Sequence, residues 1–203
     1  SLHTLLDVGS QIAGAMDAAH TAGIIHRDIK PANIFIGSRA QVKVLDFGIA
    51  KMRTPLGTVP DVTTMAGTRQ GAVIGTAAYM APEQVMGIRS DLRSDLFALG
   101  CLMHFFATGV RPFGDPQKLR GLKQRLWRDP VPPRKHNPDI PPWFQEIVLR
   151  CLEVKAGRRY PNAAQLAHDL ATPIRYSSPH VPKSGKETAS SPCSSAAARA
   201  RKC

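Results

Sequence analysis

The sequence is short of acid, of cysteine and of long apolar runs, and each shortage narrows what the chain can be. Its 203 residues hold 15 Asp and Glu against 27 Lys and Arg, a formal charge of +12. Such a balance raises the question of an acidic partner, nucleic acid or anionic lipid. The plainer reading is a basic surface with a basic tail, because net charge bears on solubility and non-specific association rather than on activity. The four cysteines, Cys101, Cys151, Cys193 and Cys203, show no C-x-x-C pair and no metal-ligand spacing. Two fall in apolar helical patterns and two near the end, which fits reduced thiols in a cytoplasmic protein. The longest nearly apolar run, Leu96 to Ala107, is too short to span a bilayer and contains His104, so it reads as a buried helix. The chain starts at Ser1 without a basic-then-apolar leader, so no signal peptide is expected. No internal repeat is found. The length allows one substantial core plus a tail.

What is present divides into a patterned region and an unpatterned end. Leu5, Val8, Ile12, Ala15, Met16 and Ala19 recur at helical spacing and predict a helix that Ala22-Gly23 ends. Asn33 to Ile36 and Gln41 to Leu45 read as two short strands around a Gly37-Ser38-Arg39 turn. Between Gly48 and Ile74 no period is sustained, and six threonines lie from Thr54 to Thr76. A loop this long is usually functional or disordered. A short helix opens at Ala81-Pro82-Glu83. A second starts at Ser94-Asp95, is apolar nearly all round and should run through the centre of the domain. Lys118 to Arg128 predicts a basic amphipathic helix, Pro130 to Pro138 a loop, Trp143 to Leu152 a helix, and Ala163 to Leu170 a last helix capped by Asn162. From Thr172 the composition turns to Ser, Ala, Pro, Lys and Arg. Such a segment buries too little apolar surface to offset its ordering entropy. The expected division is therefore a domain over 1–171 and a disordered basic tail over 172–203.

The stretch His26-Arg27-Asp28-Ile29-Lys30-Pro31-Ala32-Asn33 carries an acid two residues before a lysine and five before an amide. Asp46-Phe47-Gly48 follows a short apolar run. Together they bring two carboxylates, an amide and an ammonium into a short length of chain. These are the groups needed to hold a metal-bound triphosphate beside a hydroxyl nucleophile. Taken singly, each has a plainer reading: a solvated turn carboxylate for Asp28 or Asp46, a turn former for Asn33, a core side chain for Phe35.

With Gly75-Thr76-x-x-Tyr79-Met80-Ala81-Pro82-Glu83, Ser94-Asp95-x-x-x-Leu99-Gly100 and Arg159 in the same order, roughly residues 2–171 resemble the C-terminal lobe of a eukaryotic-type serine/threonine protein kinase of the kind found in bacteria. The resemblance implies a mainly α lobe, with short β-hairpins at the catalytic and metal-binding loops. It also implies an ATP-dependent transfer of a phosphoryl group to Ser or Thr of a protein substrate. Asp28 resembles the catalytic base that orients the attacking hydroxyl. Lys30 would reach the transferring phosphoryl oxygens. Asn33 and Asp46 would hold Mg2+, and Phe35 falls where the family stacks an apolar side chain beneath adenine. Glu83 and Arg159 correspond to a buried ion pair that fixes the end of the activation segment. Asp95 would accept N–H bonds from the His26-Arg27 turn, and Phe47 would stack on His26. Thr76 resembles the threonine that bonds Asp28. Thr63, Thr64 and Thr68 are candidate phosphorylation sites with Arg27 as the cation.

The sequence departs from that family at its start. No G-x-G-x-x-G loop, strand lysine or paired helix glutamate is present, nor the segment that hydrogen-bonds adenine. The expectation is a fragment without the N-terminal lobe, a kinase by family and inactive alone, with an apolar surface where that lobe should sit. The Asp46–Glu83 segment is also longer than the family's, with the surplus around Arg53 to Gly67. The competing reading is a non-catalytic kinase-like scaffold, which the intact Asp28, Lys30, Asn33 and Asp46 argue against. A basic tail from Arg175 to Lys202 without aromatic interleaving gives no reason to expect specific nucleic-acid binding, and no membrane segment is expected.

Overall fold

The computed structural model describes residues 1–47, 77–114 and 119–172, leaving aside the side chains of 119–121. The fold is mostly helical with a small two-stranded sheet. Helix α1, Leu2–Thr21, is capped by Ser1, whose Oγ accepts from Thr4 N at 3.3 Å. Val8, Ile12, Ala13 and Met16 form its buried face at helical spacing. The chain leaves the helix through Gly23 at φ 74°, a conformation that suits a residue without Cβ.

A 3-10 turn over Pro31–Asn33 leads into β1, Ile34–Ile36, which pairs antiparallel with β2, Val42–Val44. The register sets Ile34 against Val44, Phe35 against Lys43 and Ile36 against Val42. Gln11 ties this hairpin to α1. Its Oε1 accepts from Val42 N at 2.9 Å and its Nε2 donates to Ala40 O at 3.1 Å.

After the short helix α2, Pro82–Val85, comes α3, Leu92–Thr108. Its run from Ser94 to His104 is buried without a break, so it is covered on every side. It starts before Ser94, because Asp91 is the cap: its carboxylate accepts from Arg93 N at 2.8 Å. Ser94 and Asp95 therefore lie inside the first turn. Helix α6, Pro142–Cys151, comes so close to α3 that a Cβ on Gly100 would lie 2.6 Å from Cys151 Cβ. Helix α7, Ala163–Ala171, packs across α1, and Asn162 caps it by accepting from Gln165 N at 2.9 Å.

Two expectations change between α3 and α6. The basic helix is shorter than its pattern, with α4 covering only Leu119–Gln124. Beyond it Leu126 N and Trp127 N bond Lys123 O and Gln124 O, the tighter i−3 pattern in which helices run out. The Pro-rich stretch is not all loop. Pro133 opens a one-turn helix, α5, Pro133–His136, its ring fixing φ for the first helical position. Gly48, Thr63, Thr64, Thr68 and Thr76 lie outside the described residues, as does the tail beyond Thr172. Among the described residues no helix is long and apolar enough to cross a membrane.

Candidate active site

The candidate site is built on the turn between α1 and the 3-10 helix, and Asp95 holds that turn from below. Asp95 is 1% exposed. Its carboxylate accepts from His26 N at 2.9 Å, from Arg27 N at 2.7 Å and from His20 Nε2 at 2.9 Å. Arg27 sits at φ 66°, a left-handed conformation that costs a non-glycine residue about 1–2 kcal/mol. The two charge-assisted N–H bonds offset that strain. Gln84 of α2 closes the turn from the other side, donating Nε2 to Arg27 O at 3.0 Å and accepting from Ala81 N at 2.8 Å.

His26 links the turn to the strand that leads to Asp46. Its Nδ1 accepts from Asp28 N at 3.3 Å and its Nε2 lies 2.9 Å from Leu45 O. That pairing calls for the tautomer with the proton on Nε2. The ring lies against Phe47, with centroids 4.8 Å apart at 47°. Buried Asn33 turns its amide nitrogen to Asp28, 2.8 Å from the main-chain oxygen and 3.5 Å from Oδ2. Lys30 Nζ sits 2.9 Å from Asp28 Oδ2, both side chains partly open to solvent.

Asp46 is exposed and also left-handed, at φ 54°. The bond from Leu45 N to Asn33 O, 2.8 Å, keeps the chain just before it against Asn33. The amide nitrogen of Asn33 is engaged by Asp28, so its oxygen is the atom suited to a cation. An amide oxygen and a carboxylate are the hard donors that Mg2+ takes. Among the described residues no group of three or more His, Cys, Asp and Glu side chains could hold a metal. A protein contribution of one or two ligands matches an ion completed by phosphate and water.

Arg27, Asp28, Tyr79, Met80 and Gln84, with the buried Ile29, Ser94, Asp95 and Ala98, line a small hollow under the turn, with room for about one water. Arg27 Nε is buried and has no hydrogen-bond partner among the described residues. Glu83 and Arg159 meet beyond Ser94, with Nη1–Oε1 at 2.7 Å and Nη2–Oε2 at 2.9 Å. Burial alone would raise the Glu83 carboxyl. Hydrogen bonds from Arg159 and Ser94, with the Arg159 charge, outweigh it and hold the group below the ordinary carboxylate range. Phe35 stands apart from both groups, 57% exposed on β1. Thus His26, Arg27, Asp28, Lys30, Asn33, Phe47 and Asp95 come together, and Asp46 stands next to Phe47 in the chain. Sequence reasoning missed His20, Gln84 and Arg125. His20 stands at helical spacing from Met16, but its partner Asp95 lies 75 positions on, beyond any local pattern.

A helical domain with this turn, this Asp28–Lys30–Asn33 set and this Glu–Arg pair defines a class of protein. Residues 3–171 match the protein kinase domain family, and the chain belongs to it. Its relatives are bacterial serine/threonine kinases. It is 37% identical over 178 residues to "Serine/threonine-protein kinase PknB" of Mycolicibacterium smegmatis, covering 88% of this chain and 27% of that protein. It is 39% identical over 185 residues to "Probable serine/threonine-protein kinase PknB" of Corynebacterium glutamicum, covering 89% and 28%. The chain therefore spans little more than a quarter of the length of these relatives.

Proposed function

We propose that residues 1–171 form the phosphotransfer lobe of a bacterial serine/threonine protein kinase, with 172–203 a basic tail. The observation that carries this reading is the Asp28 carboxylate held 2.9 Å from Lys30 Nζ, with Asn33 bracing the same residue. Asp28 orients the hydroxyl of a substrate Ser or Thr and takes its proton as the phosphoryl group arrives. Lys30 offsets charge on the transferring phosphoryl oxygens. Asn33 and Asp46 hold Mg2+, which supplies charge neutralisation on the phosphate oxygens of ATP. Phe35 meets the adenine side of the nucleotide. Arg27, whose Nε has no partner among the described residues, is the cation for a phosphothreonine at Thr63, Thr64 or Thr68, and Thr76 takes the role of bonding Asp28.

A second lobe completes the site. Ile24, Phe35, Ile36 and Leu45 are each at least 44% exposed around the hairpin that leads to Asp46. Apolar surface of this kind marks a contact face. Without the opposing lobe the chain lacks the grip on the nucleotide that positions it, so the 203 residues by themselves are a kinase half without turnover. The test is Asp28→Asn in the protein completed by its ATP-holding lobe. Loss of a positioned base is expected to lower kcat by about 10²–10⁴-fold, with the ATP KM little changed. Unchanged phosphotransfer would remove Asp28 from the role. A completed protein that transfers nothing in either form would favour the scaffold reading.

A further inference from the structure

Arg125 is the largest fully buried side chain among the described residues, at 1% exposure. Nothing in the basic pattern of Lys118 to Arg128 sets it apart from its neighbours. Its guanidinium instead donates to three main-chain carbonyls. Nε reaches Leu122 O at 3.1 Å, and Nη1 reaches Ala78 O at 3.3 Å and Met80 O. No ion pair to a carboxylate is found for it among the described residues. Burial of a cation without a counter-charge is expensive, and an apolar side chain would fill the same space at lower cost. An apolar side chain would leave the carbonyls of 78 and 80 without a donor.

The surroundings show what those carbonyls belong to. The Arg125 guanidinium lies 5.6 Å from the centroid of Phe113. Phe113 stacks on Phe97 at 5.8 Å and 12°, and Arg159 lies 4.9 Å from the other ring. The result is an Arg–Phe–Phe–Arg column. Each end grips the same short segment: Arg125 takes the carbonyls of Ala78 and Met80, and Arg159 takes the carboxylate of Glu83. Tyr79 and Met80 border the same small hollow as Asp28.

We propose that Arg125 is a positioning residue for the protein substrate, fixing the backbone of Ala78–Met80 beside Asp28. The substrate role rests on the reading of Asp28 as the base; the backbone grip does not. Arg159 holds the far end of the segment and Arg125 the end nearer the acceptor. The bonds lost on substitution end on main-chain carbonyls, so the effect is on the backbone of Ala78–Met80.

Two measurements test it. In the 203-residue chain, Arg125→Met is expected to speed hydrogen exchange at the Ala81 amide about tenfold, with α3 amides unchanged. Arg125→Lys keeps a donor that can reach one carbonyl and should fall between. In the kinase completed by its ATP-holding lobe, Arg125→Met should raise the KM of a Ser/Thr peptide about tenfold and leave that of ATP within about twofold. Unchanged Ala81 exchange in both variants overturns the proposal, as does protection lost equally across α3 in both. Peptide and ATP KM values rising together would also overturn it. A completed wild-type protein that phosphorylates nothing overturns the reading of Asp28, and the substrate role with it, while exchange still decides the backbone grip.

Discussion

Arg159 uses all five of its N–H groups. Two go to Glu83, and the others go to Glu153 O, Arg93 O and Val154 O at 2.8, 3.0 and 3.1 Å. Glu83→Gln strands this cation in a site where its side chain has no exposure, and should cost about 3 kcal/mol in urea denaturation at neutral pH. The pH dependence has a definite sign. The folded state favours the ionised Glu83, so its share of stability is complete above the ordinary value of 4.5 and is lost as pH falls below it. Wild type should lose stability across that window, and Glu83→Gln should lose less. Equal slopes in the two proteins would contradict the assignment. At this scale, legibility follows distance along the chain. Asp28, Lys30 and Asn33 could be read together because they contact one another across two to five positions. Arg125 could not, because its carbonyl partners lie 45 and 47 positions away and nothing marks it among its basic neighbours.

Helix α3 connects most of the molecule, and its single small residue at the α6 contact should be sensitive. Gly100→Ala adds a methyl where 2.6 Å is available, so an overpacking cost of about 1–3 kcal/mol is expected in thermal or urea unfolding. The thiols on either side of this contact report its tightness. Burial pushes Cys101 and Cys151 up to about 12, so both stay protonated and unreactive at neutral pH. Mass-mapped alkylation should leave these two unmodified in the native chain and label them in denaturant; native labelling at either would contradict the packing. An unbroken apolar run made α3 easy to read, but its start was not. Asp91 and Ser94 are both good caps, and only the fold shows that Ser94 is drawn inward to donate to Glu83 Oε1 at 2.6 Å. The limits of α4 and the existence of α5 were hidden for related reasons. Amphipathic spacing continued past the point where Arg125 turns inward, and a proline cluster resembles a loop even when one proline opens a helical turn.

For the whole molecule, the described surface is open where the site is open. Ile24, Phe35, Ile36 and Leu45 are exposed, the last three on or just after the hairpin that leads to Asp46, and the matched relatives are more than three times as long as this chain. Sequence alone brought out the family, because its motifs are local and ordered. It anticipated the Glu83–Arg159 end of the segment but left open how Ala78 and Met80 are held, because that depends on Arg125 and on phenylalanines from distant regions. The central claim is that this chain holds the chemistry of phosphotransfer but needs an opposing lobe to perform it. Transfer of radiolabel from ATP to a Ser/Thr protein substrate tests this most directly, for the 203-residue chain and for the same chain lengthened by its upstream coding sequence. The expected result is no turnover from the 203 residues and Asp28-dependent labelling of Ser or Thr by the longer protein. Asp28-dependent turnover by the 203 residues alone, or none by the longer protein, would contradict it.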